Sequence, residues 1–134
     1  MSAIPPLRKI LYVEDEEVLQ TITRMALTRL GGFEVETCSE GQLAVGHARA
    51  FSPDLILLDV MMPGMDGPTT FAALQADGAA RHIPVIFITA KVQPQEVERY
   101  LALGVTDVIA KPFDPMSLSG RLREIWERCH GTGG

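Results

Sequence analysis

Cysteine is scarce in this chain, with only Cys38 and Cys129 among 134 residues. Two cysteines so far apart have neither the spacing of a metal-binding motif nor the density of a disulfide scaffold. We therefore expect both to be free thiols, as is usual in a cytoplasmic protein.

The chain also lacks an excess of positive charge. Its 12 Lys and Arg residues against 17 Asp and Glu residues give a formal net charge of −5. Nucleic-acid phosphates are bound by clustered Lys or Arg, and the sequence contains no basic stripe. This balance argues against direct nucleic-acid binding.

No long hydrophobic run is present, so we expect neither membrane insertion nor a secretory signal peptide. Hydrophobic residues still make up 46% of the chain, which is enough for one compact core. The length leaves no room for a second domain. We predict a flexible leader at residues 1–7, one domain at residues 8–128 and a flexible tail at residues 129–134.

Two kinds of hydrophobic pattern alternate along the chain. Continuous apolar runs are typical of parallel strands that are covered on both faces, whereas strict alternation indicates a strand with one wetter face at a sheet edge. The continuous runs are residues 9–13, 55–58, 85–88 and 108–110, and the alternating run is residues 33–37.

Apolar stripes at helical spacing occupy the segments next to the strands, and we interpret two of them as core faces. Five strands, four intervening helices and a closing fifth helix predict an α/β fold with a doubly wound parallel sheet. The stripes are Val18, Ile22, Met25, Ala26 and Leu30 in the first helix, and Leu118, Leu122, Ile125 and Trp126 in the last.

Polar residues follow the strands where ligands bind in open parallel sheets, beyond the carboxyl ends. Three carboxylates brought together repel one another unless a cation neutralises them. Mg²⁺ fits a site with few protein ligands, all of them oxygens. The pattern predicts a phosphoryl-transfer site built on an aspartate, with the residues Glu14, Asp15, Asp59, Thr89 and Lys111.

Four motifs, taken together and in this order, resemble the receiver domain of response regulators in two-component signalling, in particular the stand-alone chemotaxis-type receivers. The resemblance covers residues 8–128 and implies a flavodoxin-like five-stranded sheet of strand order 2-1-3-4-5 with five helices. It also implies a cis peptide bond before Pro112. The motifs are VEDE (13–16), LLDVMMPGMDG (57–67), ITA (88–90) and KPF (111–113).

By this resemblance, Asp59 is the phosphoacceptor and attacks a phosphohistidine on a partner protein to form an aspartyl phosphate. The resemblance also implies that Mg²⁺ is bound directly by Asp15, Asp59 and the main-chain carbonyl of Met61. Glu14 is expected to reach the ion through water.

The resemblance further assigns the groups that contact the phosphoryl oxygens. Lys111 supplies a fixed positive charge, while the Thr89 hydroxyl and the Ala90 backbone N–H bond another oxygen after phosphorylation. The chain departs from the family at Val108, where receivers often carry a Tyr or Phe that swings inward, because a short β-branched side chain cannot do so. Tyr100, on the preceding helix, is a candidate for a share of the signalling surface.

The resemblance implies a signalling protein that catalyses its own Mg²⁺-dependent aspartyl phosphorylation and dephosphorylation. The expected partners are a sensor histidine kinase or histidine phosphotransfer protein, docking on the first and fifth helices, and a downstream protein target. We expect a monomer or weak dimer. Two alternatives stay open within the same chemistry: a phosphorelay intermediate or phosphate sink, and a receiver that forms part of a larger regulator or hybrid kinase.

Two alternatives from other classes have weaker support. A haloacid-dehalogenase-like phosphatase also forms an aspartyl phosphate, but it needs a second Asp two residues after the nucleophile, where this chain has Met61. A flavodoxin-like FMN carrier needs a phosphate loop rich in Ser, Thr or Gly after the first strand. The acidic residues 14–17 would repel a phosphate there.

Overall fold

A computed structural model describes residues 4–131 of the protein as one parallel sheet with helices on both faces. The strands are β1 (Lys9–Val13), β2 (Glu34–Cys38), β3 (Leu55–Asp59), β4 (Val85–Thr89) and β5 (Asp107–Ala110). Their order is β2-β1-β3-β4-β5, and every pairing is parallel, which confirms the predicted flavodoxin-like fold. The alternating strand β2 lies at an edge and is less buried than β3 and β4.

Five α-helices connect and flank the strands. They are α1 (Glu17–Gly31), α2 (Ala44–Phe51), α3 (Gly67–Ala76), α4 (Pro94–Leu103) and α5 (Pro115–Gly131), and a 3₁₀ turn (Gly41–Leu43) precedes α2. Successive side chains of a strand point to opposite faces of the sheet. In β1, Leu11 and Val13 therefore pack against α2, α3 and α4, whereas Ile10 and Tyr12 pack against α1 and α5.

The predicted core face of α5 is confirmed, because all four residues of its apolar stripe are buried. The predicted core face of α1 is wrong. That helix buries Thr23, Leu27 and Gly31 at i, i+4 and i+8. Its apolar stripe faces outward instead, and the side chains that are 43 to 66% exposed are Val18, Ile22, Met25 and Leu30.

The buried face of α1 includes Gly31, where the helix packs closely against its neighbours. A Cβ atom on Gly31 would lie 2.5 Å from the Phe33 ring and 2.9 Å from the Ser119 side chain, which is closer than van der Waals contact allows. The Gly31 carbonyl also accepts a hydrogen bond from Arg123 of α5. Close packing against Phe33 and α5 thus leaves no room for a side chain at position 31.

The ends of the predicted domain also differ from expectation. Residues 1–3 and 132–134, which belong to the predicted leader and tail, lie outside the described residues. Within the described range, Leu7 is buried, and the Trp126 indole N–H donates to the Pro5 carbonyl at 2.7 Å. Helix α5 continues past residue 128 to Gly131. The packed structure therefore extends beyond residues 8–128 on both sides.

The structure also bears on the cysteines and on membrane insertion. Both cysteines are free, as predicted, with Cys38 buried and Cys129 exposed. Between residues 4 and 131, no helix is both long and apolar enough to cross a membrane.

Candidate functional site

Three acidic residues meet at the carboxyl edge of the sheet. Glu14 and Asp15 directly follow β1, and Asp59 is the last residue of the neighbouring strand β3. Each contributes one carboxylate oxygen to a group in which all atoms lie within 4.8 Å of one another. Glu14 and Asp59 are buried, while Asp15 is exposed. The cluster therefore has two buried carboxylates, Glu14 and Asp59, and one that faces solvent, Asp15.

Lys111, just after β5, forms ion pairs with the two buried carboxylates. Its Nζ lies 3.1 Å from Glu14 Oε1 and 3.1 Å from Asp59 Oδ2. Burial lowers the pKa of Lys111, but the hydrogen bonds to Asp59 and Glu14 outweigh this effect and raise the pKa above its ordinary value. Lys111 therefore stays charged. The peptide bond between Lys111 and Pro112 is cis, as the resemblance implied.

Three donors hold the Glu14 carboxylate. Oε1 accepts from Lys111 Nζ and from the Tyr12 hydroxyl at 3.2 Å, and Oε2 accepts from the Glu16 backbone N–H at 3.2 Å. Burial and the negative charge of Asp59 nevertheless raise the pKa of Glu14 to about 7. One lysine is thus too little positive charge for this cluster at neutral pH.

Glu14→Gln is expected to change how the metal-free stability depends on pH. The Glu14 carboxyl has a pKa of about 7 when folded, against an ordinary value of 4.5. Between these values the native state binds more protons than the unfolded state, so the free energy of unfolding falls as pH rises. This shift corresponds to roughly 3 kcal/mol. Urea unfolding in EDTA from pH 4 to pH 8 should show this fall in the parent, and the variant should lack it.

Glu98→Gln is the matched control, because Glu98 is exposed on α4. This variant should keep the pH dependence of the parent. An equal fall in stability in the Glu14→Gln variant would contradict the assignment of the high pKa to Glu14.

The main chain also orients Asp59. Its Oδ1 accepts a hydrogen bond from the Met61 N–H at 3.1 Å, while its Oδ2 faces Lys111. The Met61 side chain is 59% exposed. Asp59 is therefore held by a hydrogen bond at each of its two oxygens.

Thr89, at the end of β4, completes the edge of the site. Its side chain is buried, and its Oγ1 accepts a hydrogen bond from the Lys91 backbone N–H at 3.0 Å. Ala90 follows directly and is exposed. The hydroxyl hydrogen of Thr89 remains available for donation.

Val108, which replaces the family's usual aromatic residue, and Tyr100, the candidate for a share of the signalling surface, are both buried. Val108 pairs with Phe87 across β4 and β5, and Tyr100 packs edge-on against the same Phe87 ring at a centroid distance of 5.2 Å. Tyr100 is only 4% exposed in this structure, and its share in the signalling surface stays a prediction.

Sequence reasoning missed the part that Tyr12 plays at the site. The sequence places Tyr12 in an apolar strand run and predicts no role for it at the site, but its hydroxyl donates a hydrogen bond to Glu14. A signal was present, because residues two apart in a strand share one face, and Tyr12 is the polar-tipped member of an otherwise aliphatic run before Glu14.

The donor set of the cluster fits a divalent cation. Carboxylate oxygens from Glu14, Asp15 and Asp59 lie close enough to share one ion, and such oxygens suit hard cations. Burial and the neighbouring Asp59 charge raise the pKa of Glu14, so a bound cation would favour its ionised form.

Comparison with known proteins identifies the family. Residues 10–123 match the response regulator receiver domain. This chain is a response regulator receiver. It is 35% identical to the transcriptional regulatory protein CseB of Streptomyces coelicolor over 125 residues, which cover 93% of this chain and 52% of CseB. It is 40% identical to the response regulator PleD of Caulobacter vibrioides over 117 residues, which cover 87% of this chain and 26% of PleD.

Solved structures agree with the receiver assignment. The receiver resembles the chemotaxis response regulator CheY4 of Vibrio cholerae with a TM-score of 0.81 at 28% identity, covering 90% of this chain and 99% of that one. It resembles the N-terminal domain of a response regulator receiver protein from Methanoculleus marisnigri with a TM-score of 0.72 at 35% identity, covering 92% and 96%. The receiver thus spans whole solved domains but only about half of CseB and a quarter of PleD.

Proposed function

We propose that this receiver accepts a phosphoryl group on Asp59 from a phosphohistidine of a partner protein and signals through phosphorylation-dependent protein contact. An Asp59 carboxylate oxygen attacks phosphorus, the P–N bond breaks, and its electron pair stays with the imidazole nitrogen. The observation that carries this proposal is the position of Asp59, buried at the end of β3 with Lys111 at 3.1 Å.

The donors around Asp59 are placed to contact different oxygens of a phosphoryl group. We assign Lys111 to a phosphoryl oxygen, because its Nζ already lies at the Asp59 carboxylate. We assign the Thr89 hydroxyl and the Ala90 N–H to a second oxygen, because β4 is the strand next to Asp59. A phosphoryl group bound by these donors would draw the β4 end toward β3. That displacement is the proposed signal.

We propose Mg²⁺ as the cation of the acidic cluster, with Asp15, Asp59 and the Met61 carbonyl as ligands and Glu14 beside them. When bound, Mg²⁺ supplies positive charge that stabilises the transferred phosphoryl group. The proposal is supported by the three converging carboxylates and by the ability of Mg²⁺ to bind through few protein oxygens.

Mapping of the modified residue tests the proposed acceptor. After treatment with acetyl phosphate and Mg²⁺, we expect one hydroxylamine-sensitive phosphoryl group in the peptide that contains Asp59. Acyl phosphates are cleaved by hydroxylamine, whereas phosphoserine and phosphothreonine are not. A stable label on any other residue would contradict the role of Asp59.

The exposed apolar stripe of α1 supports a docking surface for the phosphohistidine protein. Ile22, Met25 and Leu30 of α1 and Met116 of α5 border a shallow groove of about 330 Å³. Val18, at the beginning of the same stripe, is only three residues from Asp15. Exposed apolar patches often mark protein interfaces, and a partner bound here would lie next to Asp59. We propose that a sensor histidine kinase or histidine phosphotransfer protein docks on this surface.

Ile22→Asp is expected to separate docking from chemistry. A charge in the centre of the apolar surface should slow phosphoryl transfer from a phosphohistidine donor protein about tenfold. Labelling by acetyl phosphate should be unchanged, because that small donor needs no docking surface. Both rates can be followed by phosphate-affinity electrophoresis.

Leu43→Asp is the matched control, since Leu43 is 47% exposed, as is Ile22, but lies in the 3₁₀ turn before α2. We expect it to react normally with both donors. Equal slowing in the two variants would rule out α1 as the specific docking surface.

The curated relatives are longer than this receiver, which bears on where its phosphorylation signal acts. CseB and PleD are both much longer than the segment that matches this receiver, and CseB is a transcriptional regulatory protein. We propose that the phosphorylated receiver acts on a protein surface, in a separate target or in an attached output domain. We place this activity in the cytoplasm.

A further inference from the structure

Tyr12 carries a hydroxyl group that packing in the core does not require. Its ring lies in the same core cluster as Leu27 of α1 and Leu118 of α5, and the side chain is fully buried. An aliphatic side chain would fill such a position in a buried strand, as in the rest of β1. The Tyr12 hydroxyl instead reaches Glu14 Oε1 at 3.2 Å.

The Tyr12 hydroxyl is the donor in this contact. Burial and the negative charge of Glu14 raise the pKa of Tyr12 above its ordinary value, so the hydroxyl keeps its proton. The Thr23 hydroxyl of α1 is near enough to act on the pKa of Tyr12, but Thr23 completes no hydrogen bond within the described part of the chain. Because buried hydroxyls need partners, the bond to Glu14 is the one that accounts for a tyrosine here.

The other side-chain donor to Glu14 is Lys111, and Asp59 accepts from the same ammonium group. Lys111 bonds both Glu14 and Asp59, and in the proposed function it also contacts the incoming phosphoryl group. When Lys111 turns toward that group, the donors left to Glu14 among residues 4–131 are the Tyr12 hydroxyl and the Glu16 backbone N–H. Tyr12 is therefore the side-chain donor that Glu14 does not share with another carboxylate.

We infer that Tyr12 is a positioning residue whose hydroxyl holds the Glu14 carboxylate in the orientation that the acidic cluster needs to bind a divalent cation. This inference rests on the proposed function. Residues that orient metal-site groups in this way commonly change metal affinity about tenfold to a hundredfold when they are mutated.

Tyr12→Phe tests the inference because it removes the hydroxyl and keeps the ring. Isothermal titration of the metal-free protein with MgCl₂ should show a dissociation constant about tenfold higher than that of the parent. Acetyl-phosphate labelling should be slow at limiting Mg²⁺ and reach the rate of the parent at saturating Mg²⁺. A purely structural role predicts a lower unfolding temperature in EDTA with unchanged Mg²⁺ affinity, and that result would overturn the inference.

Thr23→Val serves as the matched control. It removes the neighbouring buried hydroxyl from α1 but leaves the bond between Tyr12 and Glu14 in place. We expect its Mg²⁺ affinity to equal that of the parent. A loss as large as that of Tyr12→Phe would show a general effect of packing and would overturn the inference.

A double-mutant cycle with Glu14→Ala shows whether Tyr12 acts through Glu14. Tyr12→Phe should weaken Mg²⁺ binding in the parent and have no further effect when Glu14 is absent. Equal losses in both backgrounds would overturn the inference. If the parent itself neither binds Mg²⁺ nor becomes labelled, the proposed function fails as well. If the parent does both and Tyr12→Phe matches it, only the role of Tyr12 fails.

Discussion

The Asp59→Ala variant is expected to carry no phosphoryl group after a treatment with acetyl phosphate and Mg²⁺ that labels the parent receiver. The variant lacks the proposed nucleophile, and neither neighbouring acidic residue is held in the same place. Glu14 is bonded to Tyr12 and Glu16, and Asp15 is exposed. The fold should persist, because the change removes one of three carboxylates that repel one another. Intact-mass spectrometry and circular dichroism measure the two outcomes.

Asp66→Ala is the control for this variant. Asp66 lies in the loop after β3, is exposed, and caps α3 by accepting a hydrogen bond from the Thr69 N–H at 2.9 Å. Its loss should lower the free energy of unfolding by about 1 kcal/mol and leave labelling intact. A normally labelled Asp59→Ala variant would remove Asp59 as the acceptor. Loss of labelling in both variants would point to damage to the loop.

Lys111→Ala is expected to impair both stability and phosphorylation. Without Lys111, the buried carboxylates of Glu14 and Asp59 lose the ammonium group that pairs with both of them in the metal-free protein. Removing one partner from a buried ion pair costs about 3 kcal/mol or more. This cost should be smaller at pH 5, where Glu14 binds a proton. Urea unfolding in EDTA at pH 5 and pH 8 measures the difference.

The same variant should separate metal binding from chemistry. Mg²⁺ affinity should be retained or increased, because a competing cation has been removed from Glu14 and Asp59. Labelling at saturating Mg²⁺ should fall about a hundredfold, since Lys111 no longer stabilises the transferred charge. Lys91→Ala, which changes an exposed lysine near the site, should behave like the parent. Full labelling of the Lys111→Ala variant would contradict the role of Lys111.

The sheet and the position of the acidic cluster could be predicted from the sequence because topology leaves little freedom there. Residues that directly follow parallel strands must lie at one edge, so the motifs around Glu14, Asp59 and Thr89 determined where their side chains would meet. The strand order itself came from the family resemblance, since hydrophobic patterns placed only β2 at an edge.

The outward face of α1 could not be predicted in the same way. Apolar periodicity identifies a stripe, but it does not distinguish a core face from an exposed docking face. The true core face contains Thr23, Leu27 and Gly31, of which only Leu27 has a strong hydrophobic signal. Gly31 is required by the close approach of Phe33 and Ser119. Tyr12 was missed for a related reason, because a ring within an apolar run looks like core until the partner of its hydroxyl is known.

Intact mass of the unmodified receiver, measured after incubation with acetyl phosphate in Mg²⁺ and in EDTA, tests the proposed chemistry most directly. We expect one added phosphoryl group in Mg²⁺, none in EDTA, and loss of the group after hydroxylamine treatment. No addition under conditions that label a control receiver, or equal addition in EDTA, would contradict a Mg²⁺-dependent phosphoacceptor at Asp59.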